Sequence, residues 1–344
     1  EITKIRTSMM NAKLERTHSM LATPKTGEGR VYFHPILMMH AATLYGKTYT
    51  EFMSDHNVLV ESNLRLLEMY DHDAVSVISD PYREASAFGA TITFNGDNSP
   101  KGEKLVHSME DVERLEIPDV YACERTLDRI NGVKLFREKL GEPFPIIGWV
   151  EGPLAEAADL AGVSEILMNM VIEPEMVQAL QLKCLQMAKN FALAQIKAGA
   201  NIIGVGDAVC SQISKDMYDE FCLPLHKELF SFIHAQGAIV KLHICGNITH
   251  ILPSLAKTDV DILDVDWMVN VREAYEVMGE DVMICGNLDP VTVVMQGDKK
   301  LIKEKYDAVK SQIPLENWIM MAGCEIPRAT PVENMRYLRE ISIG

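Results

Sequence analysis

The chain has 344 residues, 47% of them hydrophobic and 24% charged, and its 49 Asp plus Glu against 33 Lys plus Arg give a net charge of −16. This composition excludes a disordered or collagen-like chain, and no run of about 18 apolar residues is present to span a bilayer. So acidic a surface argues against nucleic acid or a membrane surface as the principal partner, and an anionic ligand would need a local cation.

Residues 1–29 mix charge with polarity (Lys4, Arg6, Lys13, Glu15, Arg16). They lack the apolar stretch of a signal peptide and predict one or two leading helices. From there on, short β-branched runs alternate with helical patterns. The runs are Val31–Leu37, Ala74–Ser79, Pro145–Val150, Asn201–Gly206, Ala238–Ile244, Val260–Val265, Val282–Gly286 and Trp318–Gly323. Between them lie helical patterns such as Thr50–Tyr70, Ser164–Ala198 (broken near Pro174), Ser214–Ala235 and Lys299–Ile313. Strand–helix alternation with eight repeats predicts an α/β fold, a (β/α)8 TIM barrel. A doubly wound open sheet is the competitor. Its dinucleotide fingerprint is missing, because Gly204-Val-Gly206 before Asp207 is too short to count. Residues 95–144 are longer than an ordinary connection. They contain helical patterns at Met109–Leu115 and Glu124–Leu140, joined around Pro118, and predict a helical insertion after the second strand. It would serve as a cap or as the surface of a homo-oligomer. No Gly/Ser/Pro linker divides 1–344, so one domain is expected.

Chemistry in such a barrel sits at the C-terminal ends of the strands. The sequence places polar groups there: His34, Asp80, Glu151, Asp207, His243 with Cys245 and Asn247, Asp264 with Asp266, Asn287 with Asp289, and Cys324 with Glu325. One polar residue after a strand is ordinarily a cap or a turn; such groups at all eight ends are harder to dismiss. Asp80, Glu151, Asp207 and Asp266 are the candidate catalytic carboxylates. His34, Asn247 and Asn287 are candidates for holding a cofactor.

The fifth strand is the sharpest signal. Side chains alternate along a strand, so Lys241, His243 and Cys245 share one face. Their neighbours Val240, Leu242 and Ile244 are apolar and would face the helices. His and Cys two positions apart can reach one ion, and zinc takes both donor types. Cys324 is the natural third ligand, with a fourth position left for substrate, Asp266 or Glu325. A plainer reading makes Cys245 and Cys324 small buried hydrophobes and His243 a core histidine. Lys241 lies deeper and should pair with Asp264, Glu151 or Asp207. The seven cysteines form no disulfide framework, which fits a reducing, cytoplasmic compartment. Cys285 and the 20 methionines read as core.

Lys241-Leu-His-Ile-Cys-Gly-Asn247, Asp264-Val-Asp-Trp267, Gly286-Asn-Leu-Asp-Pro290 and Gly323-Cys-Glu-Ile-Pro-Arg-Ala-Thr-Pro-Val-Glu-Asn334 together resemble the uroporphyrinogen decarboxylase superfamily. Within it the chain is most similar to the zinc-dependent corrinoid methyltransferases, which include methylcobamide:coenzyme M methyltransferases and the methyltransferases of O-demethylase systems. The resemblance covers residues 140–344 well and 30–95 loosely, and implies the same barrel. Its marker is a His-x-Cys pair followed by a distant Cys; here Cys324 follows Cys245 by 79 positions. It therefore implies Zn2+ held by His243, Cys245 and Cys324. It also implies methyl transfer between a corrinoid (cobalamin), presented over the barrel mouth by a corrinoid protein, and a small thiol acceptor or methoxylated donor. The Arg-rich motif that holds tetrapyrrole propionates in the decarboxylases has no counterpart between Val31 and Thr50. Two alternatives remain: a metal-free decarboxylase using Asp80 or Asp207, and a non-catalytic component of a methyl-transfer complex.

Overall fold

A computed structural model describes residues 2–22 and 30–343, with side chains from residue 12 onward. Each predicted run coincides with a strand, β3 extending one residue past its run: β1 (Tyr32–Phe33), β2 (Val75–Ser76), β3 (Ile146–Glu151), β4 (Ile202–Gly206), β5 (Ile239–Ile244), β6 (Ile262–Val265), β7 (Met283–Cys285) and β8 (Trp318–Met320). Neighbours pair in parallel, in the order β1-β8-β7-β6-β5-β4-β3-β2. The two ends of the sheet meet where Asp73 N donates to Phe33 O at 2.9 Å and Phe33 N donates to Asp73 Oδ2 at 2.9 Å. The expected (β/α)8 barrel is the observed fold.

The alternation of side chains explains the two cores. Ile147, Trp149, Ile202, Ile239, Ile262, Met283, Ile319 and Met321 point inward and form one apolar cluster. Val150, Val205, Val240, Leu242, Leu263, Ile284 and Met320 point outward and are buried with the surrounding helices. The leading segment forms one described helix, Ile2–Leu21. Its Leu14, Met20 and Leu21 pack against the inner cluster, and Lys13 and Arg16 pair with Asp259 (2.9 Å) and Asp261 (2.7 Å), just before β6. The helix therefore lies across the N-terminal end of the barrel. Residues 23–29 of the predicted leading segment lie outside the described residues.

The predicted break at Pro174 separates helices Val163–Ile172 and Pro174–Ala198. A second pattern divides at Asp55, whose side chain caps helix His56–Tyr70 by accepting from Asn57 N. The insertion contains the two expected helices, Met109–Arg114 and Glu124–Leu140. Ahead of them stands an unforeseen antiparallel hairpin, Ile92–Asn95 with Asn98–Gly102. Its signal was the alternation Ile92-Thr-Phe-Asn95 running into a Gly96-Asp97 turn. Among the described residues, no helix is long and apolar enough to cross a membrane.

Candidate active site

The strand register builds one layer of the site. Gly206 of β4 pairs with His243 of β5, His243 with Asp264 of β6, and Asp264 with Cys285 of β7. His243 Nε2 lies 2.9 Å from Cys245 Sγ and 3.9 Å from Cys324 Sγ, and the two sulfurs are 3.5 Å apart. Tetrahedral zinc with these donors needs ligand separations of about 3.6–3.8 Å. The sulfur pair and the His243–Cys324 pair lie within about 0.3 Å of this, and the His243–Cys245 pair, hydrogen-bonded at 2.9 Å, would open by about 0.7 Å around an ion. The residues therefore fit the ion in chemistry. Behind the ring, Asp264 stands 3.4 Å from His243 Nδ1 and 3.4 Å from Lys241 Nζ. This supplies the ion pair predicted for Lys241. It also gives the carboxylate that orients a ligating imidazole.

Each sulfur is placed by its own loop. Gly246 N donates to Asp266 Oδ2 at 2.7 Å, directly after Cys245. Gly323 N donates to Leu288 O at 2.8 Å, directly before Cys324. Gly323 approaches so closely that a Cβ there would lie 2.4 Å from Trp267 N. Hydrogen bonds with Cys245 and His243 draw the Cys324 thiol down to about 4, and its bond to Cys324 together with burial pushes Cys245 up. Burial opposes a charge on His243, but Cys245 and Asp264 outweigh it and raise its pKa.

A cavity of about 170 Å³ opens over the ring. Its walls include Ile36, Met38, Ile78, Trp149, Glu151, Ala208 and Glu325 as well as the three candidate ligands. The Trp149 and His243 ring centroids lie 6.2 Å apart. Glu151 is buried, and this raises its pKa to about 8 although Arg83 donates to Oε1 at 2.8 Å. Glu325 Oε1 accepts from Met39 N at 2.8 Å, and burial raises it to about 7.

Of the candidate catalytic carboxylates, Glu151 alone lines this cavity. Asp80 is taken by Arg125, at 3.0 and 2.5 Å, and by Tyr82 N at 3.1 Å. Asp207 is fully buried and accepts from Ala155 N at 2.8 Å, with His226 Nε2 at 3.0 Å. Asp266 gives Oδ2 to Gly246 N and Oδ1 to Trp267 N (2.7 Å). Both of its oxygens are engaged, which leaves Glu325 the better placed of the two carboxylates weighed as a fourth donor. The cofactor candidates are also dispersed. Asn247 is exposed and accepts from Thr249 N at 3.0 Å in a local turn. Asn287 Nδ2 donates to the carbonyls of Asp266 (3.0 Å) and Val269 (2.6 Å). His34 is buried in a smaller cavity deeper in the barrel, lined also by Trp149 and Lys241. Sequence reasoning missed Trp149; its signal was its place two residues before Glu151, on the same inward face.

Residues 32–342 match the model of the family described as Uroporphyrinogen decarboxylase (URO-D). The chain belongs to the uroporphyrinogen decarboxylase family. Members similar to it carry two different names. A methylcobamide:CoM methyltransferase, MtbA of Methanosarcina mazei, is 29% identical over 272 residues, 78% of each chain. A uroporphyrinogen decarboxylase of Carboxydothermus hydrogenoformans is 26% identical over 325 residues, 90% of this chain and 91% of the relative. Among solved structures, a methyltransferase from Methanosarcina mazei superposes with a TM-score of 0.85 at 21% identity, covering 96% of this chain and 98% of the other. That last likeness speaks for the barrel alone.

Proposed function

We propose that this family member is a zinc-dependent methyltransferase that moves a methyl group between a corrinoid, carried by a partner protein, and a small thiol. One observation carries the reading: His243, Cys245 and Cys324 converge from two non-adjacent strand ends onto the wall of an open cavity. A bound Zn2+ would lower the pKa of a coordinated thiol and fix its sulfur for attack on the methyl group. Two thiolates and an imidazole cancel the charge of a divalent ion. A third sulfur then stays electron-rich, which favours a thiol over a methoxylated donor as the small substrate.

The remaining residues do ordinary work. Ile36, Met38, Ile78 and Trp149 exclude water from the reacting sulfur. Glu151 and Glu325 face the same cavity; Glu325, raised by burial to about 7, would accept the proton that the thiol loses, and Glu151, raised to about 8, would hold its own proton at neutral pH. Decarboxylation of a tetrapyrrole has less support. The cavity is below the 300–1,000 Å³ usual even for drug-sized ligands, no arginine occurs from Val31 to Thr50, and Asp80 is closed off by Arg125.

The test is visible absorbance of methylcobalamin with a panel of thiols, and of reduced cobalamin with methoxylated compounds. We expect thiol-dependent demethylation that Cys324→Ala abolishes together with one equivalent of zinc. Full activity and metal content in Cys324→Ala would refute the assignment.

A further inference from the structure

A second cluster of metal-binding side chains lies outside the cavity. The ligand atoms of Asp207, Cys210 and His226 all lie within 4.8 Å of one another, and all three residues are fully buried. Cys222 precedes His226 by four positions at the start of helix Leu223–Ala235, so the two share one helix face. Its thiol is hydrogen-bonded to that of Cys210. The mutually close donors are thus one carboxylate, one thiol and one imidazole, and the Cys222 thiol, bonded to Cys210, would complete the set as a fourth.

Three observations point to an ion there. Among the described residues, the ion-pair partner of Asp207 is His226 and no lysine or arginine, and a buried carboxylate needs a cation. His226 Nδ1 is hydrogen-bonded to Tyr218 Oη at 2.7 Å, which orients the ring with Nε2 toward Asp207; ligating histidines are held in this way. Gln181 is fully buried, its amide turned toward Cys222 and otherwise without a hydrogen-bond partner.

We propose that Asp207, Cys210, Cys222 and His226 form a second zinc site. Four protein donors with no access to solvent describe a closed structural site rather than a catalytic one. It would clip the turn Ala208–Gln212 to the helix that follows it. Ala208 lines the substrate cavity. Ser211 abuts Gly246, where a Cβ would lie 3.1 Å from Ser211 Oγ. The clip would therefore hold one wall of the cavity and buttress the loop that carries Cys245.

The experiment counts zinc in the full chain, purified without chelator, and again after metal removal, reloading and dialysis. The wild type is expected to hold two equivalents. Cys324→Ala, which leaves the inner cluster untouched, should retain one, and cobalt reloaded into that variant should show the strong visible absorption of tetrahedral thiolate coordination. Cys222→Ser and His226→Gln should each lose the inner equivalent. One equivalent in the wild type and none in Cys324→Ala overturns the proposal. One equivalent that survives Cys324→Ala but not Cys222→Ser supports it, and counts against the mouth site instead.

Discussion

The carboxylate of Asp264 lies between two groups that need it, and replacing it by asparagine tests the layer beneath the candidate metal site. Asp264 is fully buried, and so is the Lys241 side chain whose Nζ is 3.4 Å away. At that distance and an effective dielectric of about 20, the gross attraction is about 5 kcal/mol. Desolvation offsets much of it, but removing one partner of a buried pair leaves a buried charge and costs about 3–5 kcal/mol. Asp264→Asn keeps the shape and abandons Lys241 to the Cys285 thiol at 3.6 Å. It also removes the carboxylate from His243 Nδ1, a change that weakens metal binding by about 10–100-fold in comparable sites. Urea unfolding of the metal-free protein reads the first effect, and competition with a chromogenic chelator reads the second. The double variant Lys241→Met/Asp264→Asn buries no unpaired charge, so it should recover stability without recovering zinc affinity. An Asp264→Asn protein within about 1 kcal/mol of wild type, or a double variant less stable than the single one, would refute the reasoning.

His234 lies 3.4 Å from Asp259 and 2.6 Å from Asp261, and although burial opposes its charge the two carboxylates raise it from 6.5 to about 9. Its contribution to stability is therefore complete below pH 6.5 and disappears as the pH rises through about 9; the Tm gap between wild type and His234→Gln should close over that window, and a constant gap would contradict the pairing. Gly204→Ala would set a Cβ 2.1 Å from Trp149 Cε3. It should cost about 1–3 kcal/mol by overpacking, and Trp149→Leu in the same chain should return most of this in a denaturant titration. On the proposed function, Trp267 and Met268, half-exposed on the loop after β6, would offer apolar contact to a docking corrinoid protein. Trp267→Ala should slow transfer from the protein-bound corrinoid by about 10-fold or more and leave transfer from free methylcobalamin unchanged; equal effects on both donors would count against docking there.

The barrel was legible in the sequence because its strands are buried on both faces. Most are apolar runs rich in β-branched residues, and the polar exceptions on β5 (Lys241 and His243) had to point inward. The metal candidates were legible for the same reason, since strand periodicity relates His243 to Cys245 without any long-range knowledge. The roles of Asp80, Asp207, Asp266 and Asn287 were not. A strand-end position states where a side chain starts, but its chemistry depends on which partner arrives from elsewhere in the chain. Arg125 comes to Asp80 from the insertion and His226 comes to Asp207 from the following helix. Neither pairing leaves a local signal. The hairpin at 92–102 was overlooked because strands of four and five residues beside a polar turn are outweighed by the helical patterns around them.

The candidates that hold backbone rather than face the cavity explain how the ligand ring is assembled. Cys245 follows β5 and Cys324 follows β8, so β6 and β7 stand between them in the sheet. Their separation is set by what those intervening strands carry at their ends. Asp266, after β6, accepts from Gly246 N beside Cys245. Asn287, after β7, donates to the carbonyls of Asp266 and Val269 and so ties the third loop to the second. Leu288 then accepts from Gly323 N beside Cys324, which ties the fourth loop to the third. Four loops are thereby linked by hydrogen bonds in sheet order, and the sulfurs at the two ends of the chain of contacts lie 3.5 Å apart. A site made this way needs rigid polar side chains that do not line the cavity, as Asp266 and Asn287 do not. Under the proposed function, Asp266 and Asn287, just after β6 and β7, would therefore serve the geometry of the two sulfurs, while proton chemistry would fall to the carboxylates on the cavity wall, Glu151 and Glu325.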